Sequence, residues 1–126
     1  MNFKNIMIIS TVLALGFGIG FLFIPAKLAS LYGLTLSQSG IFIGRLLGAE
    51  LAGYGFLAWF IRNLVDVKIQ RPILLAFFIT DGTGFIVSLL TQFAGMMNFL
   101  GWIIISVYLL LTLCFGYLRF RKQNVQ

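Results

Sequence analysis

Four apolar runs, at about 6–24, 41–61, 73–92 and 97–118, take up most of this chain. A helix needs about 20 mostly apolar residues to cross the hydrocarbon of a bilayer, and each run is close to that length. Hydrophobic residues make up 60% of the sequence and charged residues 10%, which rules out disorder and would leave a soluble domain without a polar surface. The runs therefore predict an all-α integral membrane protein. It is a four-helix antiparallel bundle forming a single transmembrane domain over residues 1–126.

The net charge of +6 raises the question of nucleic acid, and the placement of the charges answers it. Of the nine Lys and Arg, seven (Lys4, Arg62, Lys68, Arg71, Arg119, Arg121 and Lys122) fall before the first run, between the second and third, or after the fourth. With four crossings those regions share one side. Lys27 alone falls on the other, and Arg45 lies within the second run. The positive-inside rule then places both termini in the cytoplasm of a multi-pass cell-membrane protein. The basicity is a topology signal with an attraction to lipid headgroups, and no nucleic-acid partner is expected. The first run is longer than a signal-peptide h-region, and Ile24 spoils an A-x-A cleavage site, so it reads as a retained helix.

Cys114 is the only cysteine and there is no histidine. No intrachain disulfide or CxxC pair can form, and histidine-based zinc, haem or acid–base chemistry would need groups from a partner. No catalytic residues, metal or cofactor are assigned, and the residue inventory speaks against an autonomous enzyme.

The connections read as short, except for residues 25–40. There Pro25 can open a helix, Gly33 suits a left-handed stop, and a short interfacial helix is predicted after the first span. Leu28, Leu31 and Tyr32 would face the membrane boundary, with Lys27 and Ser30 toward water and Ser37 or Ser39 capping the second span. Residues 63–71 read as a loop with Pro72 opening the third span, and residues 93–96 as a tight turn at Gly95. Trp59 and Tyr117 near one boundary, with Tyr32 and Trp102 near the other, suit the headgroup level. Gly16 and Gly20 on the first helix, and Gly44, Gly48 and Ala52 on the second, read as close-packing faces within the bundle or a homodimer seam.

The residues able to carry chemistry are the ionisable ones at membrane depth. Glu50 lies at the middle of the second span and Asp81 near the middle of the third. Intramembrane acids are costly, so they are paired, protonated or open to internal water, and they mark ion and proton pathways. Two acids sharing one low-dielectric site do not both ionise cheaply. Arg45, about 140° around the helix from Glu50, is expected to point with Gly48 and Ala52 toward a packed neighbour, reaching carbonyls or a lipid phosphate. Asp81, Gly84, Ser88, Thr91 and Gln92 share one stripe of the third span. With Tyr54 one turn from Glu50 and Tyr108 at mid-depth of the fourth, they predict a small pocket between the second, third and fourth spans that opens to the outer side. The alternative is that these groups only hydrogen-bond between helices, with both acids buried neutral.

Small multidrug exporters and fluoride channels have a similar length, but many insert in both orientations, and a seven-to-one cation bias excludes that. Phe23-Ile24-Pro25-Ala26, Leu34-Thr35-Leu36, Arg45-Leu46-Leu47-Gly48-Ala49 and Asn98-Phe99-Leu100-Gly101-Trp102 give the chain its resemblance to the DoxX-like small four-helix membrane proteins. The resemblance implies a four-helix bundle, and one branch of that group serves as an accessory subunit in quinone-dependent sulfur oxidation. It carries no site residues. Two function classes stand open: a bundle that binds or transports a small apolar or ionic ligand, with proton linkage through Glu50 and Asp81, and a structural or accessory subunit that docks a partner membrane protein or a second copy.

Overall fold

The computed structural model describes residues 2–121, so Lys122, counted above with the basic side, lies outside the described residues. Among the described residues there are five helices: α1 (Phe3–Phe23), α2 (Pro25–Leu31), α3 (Gln38–Ile61), α4 (Val67–Phe93) and α5 (Gly101–Phe120). All but α2 are long and apolar enough to cross a membrane. The chain is a multi-pass, all-α membrane protein folded as a helical bundle.

The bundle is built from two antiparallel pairs. In the first, α1 and α3 approach backbone to backbone. A Cβ on Gly48 would lie 2.6 Å from the Gly18 carbonyl oxygen and 2.7 Å from the Leu22 nitrogen, and one on Gly18 would lie 2.8 Å from the Ala52 nitrogen. Gly44 meets Phe21 and Pro25, and Gly55 meets Leu15. Partner numbers fall along α1 as they rise along α3, which is the antiparallel register. Lipid tails are as apolar as the helices, so close packing of this kind holds the pair together where hydrophobic burial cannot. The Gly44–Gly48 face packs as its four-residue spacing predicts. The expectation for α1 needs correction: Gly18 makes the contact, while nothing lies within 4 Å of a Cβ on Gly16.

In the second pair, α4 and α5 run antiparallel through Gly82 against Thr112, Gly84 against Tyr108 and Gly116 against Phe78. The pairs join toward the end that carries residues 2 and 121, in a core of Ile6 and Met7 from α1, Ala58 from α3, Leu74 and Phe77 from α4, and Leu111 and Phe115 from α5. Phe77 meets Phe115 edge-on at 5.2 Å. At the opposite end the closure is polar. The Asn98 backbone N–H donates to the Tyr32 carbonyl at 2.9 Å and its side-chain amide to the Leu31 carbonyl at 2.9 Å.

Several boundaries differ from the sequence reading. Pro25 opens α2, Gly33 sits at φ +79°, and the Ser37 hydroxyl accepts from Gly40, all as expected. Leu28 turns inward against Gly20, leaving Leu31 exposed. Burial raises the Tyr32 phenol above its ordinary pKa of 10.0. The third crossing helix starts at Val67, five residues before Pro72, its expected opening, because the Asp66 carboxylate caps it by accepting from the Lys68 N–H at 3.0 Å. Pro72 lies inside α4, and the bond that its missing N–H forfeits belongs to the carbonyl of Lys68, an exposed residue. The α4–α5 turn runs through residue 100, longer than expected, because the Asn98 side chain accepts from Leu100 and Gln92 donates to the Asn98 carbonyl.

Candidate functional site

On α4 the buried residues Leu74, Phe77 and Asp81 recur at helical spacing, so the face that enters the core also carries the acid inward. Asp81 is 4% exposed. From α3, Tyr54 stacks on Phe77, with ring centroids 4.4 Å apart, and this holds its hydroxyl in place to donate to Asp81 Oδ2 at 3.0 Å. From α5, the Tyr108 ring occupies the space over Gly84, where a Cβ would fall 2.5 Å from it. Tyr108 lies within electrostatic reach of Asp81. Gly84 therefore belongs to the site by letting an aromatic ring approach the backbone.

Ser10 on α1 was not read from the sequence as part of this cluster. It is 1% exposed, and its hydroxyl lies beside that of Tyr54 without completing a hydrogen bond. Its neighbour Thr11 donates to its own helix at the Met7 carbonyl, 2.8 Å away, as hydroxyls in membrane helices commonly do. Depth is the signal that could have found Ser10: it stands seven residues from the start of α1, and Tyr54 stands seven from the end of α3, each about 10 Å into the bilayer at the helical rise. Each of the four crossing helices thus sends one polar side chain to the same place.

The other candidates separate from it. Glu50 and Arg45 are both exposed, and among the described residues neither makes a hydrogen bond or ion pair. Arg45 does not turn toward a packed neighbour as expected; the face that packs on α1 is carried by Gly44, Gly48 and Gly55. The stripe above Asp81 also divides. Thr91 donates to the Val87 carbonyl of its own helix, Gln92 braces the α4–α5 turn, and Ser88 is half-buried without a hydrogen bond among the described residues. Glu50 and Asp81 are not brought together.

The Asp81 carboxyl bonded to the Tyr54 hydroxyl, with the Ser10 and Tyr108 hydroxyls near this pair, forms an all-oxygen set within the bundle. Such a set can exchange a proton, hold a hard cation or hydrogen-bond a small polar ligand. Among the described residues no three of His, Cys, Asp and Glu group as metal ligands would. Comparison with protein-family models, curated proteins and solved structures finds no match for this chain.

Proposed function

We propose that the protein is a small cell-membrane bundle that binds or passes a small ligand or ion at the Asp81 cluster, with proton exchange at the Asp81 carboxyl and with both termini cytoplasmic. The observation that carries this reading is Asp81 itself: 4% exposed, held by a single O–H donor, with no cationic partner among the described residues. An acid kept inside a bundle without a countercharge costs insertion energy, and its ordinary use is a proton or ion pathway. Glu50, exposed on α3, is not part of this site.

The test uses protons as the probe. Purified protein in liposomes enclosing a pH-sensitive dye, with valinomycin and K⁺ clamping the potential, is expected to pass protons after an acid jump faster than empty liposomes. Asp81→Asn is expected to fall to the empty-liposome rate, and Glu50→Gln to keep the parent rate. A parent protein no faster than empty liposomes favours the second reading.

That second reading is an accessory subunit, the role implied by the DoxX-like resemblance. Two observations support it. A groove of about 410 Å³ runs along α1 and α2 past Gly16 and Gly20, lined by apolar side chains and Tyr32. On α3, Glu50 and Gly53 lie exposed on one side of the helix, with nothing within 4 Å of a Cβ on Gly53. Gly16 and Gly53, which no helix of the same chain uses, are the kind of small residue that a partner helix needs, while Gly20 is already covered by Leu28.

A further inference from the structure

A groove of about 380 Å³ opens at the end of the bundle that carries residues 2 and 121. Three segments distant in sequence converge on it: Asn2 and Lys4 at the start of α1, Arg62 and Asn63 between α3 and α4, and Arg121 after α5. The chain has three acids, Glu50, Asp66 and Asp81. Two of them lie within membrane-crossing helices, and Asp66 is committed to the backbone N–H of Lys68. Among the described residues none of these cations is in an ion pair. The one carboxylate at this end, Asp66, caps α4 and forms no ion pair with these cations among the described residues, so the groove keeps a net positive charge.

The helix ends reinforce the charge. The positive end of α1 borders the groove at Phe3, whereas that of α4 at Val67 already faces the Asp66 carboxylate. The negative ends of α3 and α5 reach it too, but their C-cap residues are Arg62 and Arg121. Arg62 spends one N–H on the Trp59 carbonyl at 2.6 Å and lies 3.5 Å over the Trp59 ring. That leaves its remaining N–H groups free to face an oxyanion in a fixed plane. Trp59 and Tyr117, exposed at this end, sit where headgroup-level aromatics sit. An exposed Val65 borders the same groove and gives it an apolar edge.

We infer that this groove is a binding site for the phosphate of an anionic phospholipid, its headgroup held among Lys4, Arg62 and Arg121 and its acyl chains running down the outside of the bundle. The phosphate group is the shared chemistry with free phosphate. The headgroup is the source favoured here because the groove lies at the end of the crossing helices where Trp59 and Tyr117 are exposed, and basic pockets at helix ends select anionic lipids. The site is remote from the Asp81 cluster and does not depend on what that cluster binds.

The experiment is a thermal melt of the full chain in neutral detergent doped with phosphatidylglycerol or with phosphatidylcholine, together with native mass spectrometry of the parent protein. Phosphatidylglycerol is expected to raise the melting temperature by several degrees over phosphatidylcholine and to remain as a bound adduct in the gas phase. Arg62→Gln combined with Arg121→Gln is expected to lose most of that shift. Lys68→Gln, which removes a charge at the same end but outside the groove, is expected to keep it. Equal shifts with the two lipids, or a loss with Lys68→Gln as large as with the arginine pair, would overturn the site. Inorganic phosphate at matched ionic strength reproducing the phosphatidylglycerol shift would overturn the lipid assignment. Should the double variant fail to fold, the parent's adduct selectivity decides: no preference for phosphatidylglycerol also overturns the proposal.

Discussion

Gly48 and Gly16 look alike in sequence, each in an apolar helix with a glycine four residues away, and the fold treats them oppositely. Gly48 lies against the α1 backbone, which cannot move aside, so Gly48→Ala is expected to destabilise by about 1–3 kcal/mol and Gly48→Leu by more. Gly16→Ala meets nothing within 4 Å. It is expected to be neutral or to stabilise by up to about 1 kcal/mol through helix propensity. Parallel unfolding curves of the two alanine variants check this, and equal destabilisation would refute the assigned faces. At the polar cluster, Tyr54→Phe removes one interhelical hydrogen bond, for a loss of about 0.5–1.5 kcal/mol. A double-mutant cycle with Asp81→Leu, which leaves no acceptor, is expected to recover a coupling of about the same size, and independent losses would mean that the bond contributes nothing. Asp81 and Tyr54 were legible because a carboxyl and a phenol stand out in an apolar run. Ser10 was not, because a lone serine in such a run ordinarily bonds its own helix, and only the convergence of four helices gives it another neighbour.

The elements show where sequence signals compete. All four crossings were legible from apolar run length, and α2 from Pro25 and Gly33, because each signal is local. The start of α4 departs from the sequence expectation because Pro72 reads as a helix opening, whereas Asp66 supplies an actual cap and the proline removes only one bond near a solvated end. The α4–α5 turn is longer than its sequence suggests because its length is set by Asn98, whose side chain serves both Leu100 beside it and Leu31 far away in sequence. No local pattern announces a contact of that kind. Asn98→Ala removes both side-chain bonds, an expected cost of about 1–3 kcal/mol in total. Hydrogen exchange is expected to quicken in residues 94–100 and at the end of α2 while protection along the crossing helices stays at the parent level. Unchanged exchange at the turn would show that the two elements do not hold each other.

For the whole molecule, length and charge together set the fit to a bilayer. α4 has 27 residues, about 40 Å at the helical rise, against a hydrocarbon thickness of about 30 Å. The excess is expected at one end: Lys68 and Arg71 lie in the first turns of α4, beside Val67 and Gln70, which line the groove with Arg62 and Arg121, so the surplus length is predicted to stand among headgroups instead of tails. The opposite end carries Lys27 as its only described cation and is closed by backbone and amide hydrogen bonds. Such asymmetry is worth about 1 kcal/mol per cation in contact with an anionic cytoplasmic leaflet, and by the positive-inside rule the basic end is expected inside. Single cysteines at Ser37 and Asn63, placed in a Cys114→Ala background and treated with a membrane-impermeant maleimide, read this directly. Ser37→Cys, at the cap of α3, is expected to label on intact cells, and Asn63→Cys only after permeabilisation. Labelling of Asn63→Cys on intact cells with Ser37→Cys protected would invert the topology, and would place the basic groove on the leaflet where anionic phospholipid is scarce.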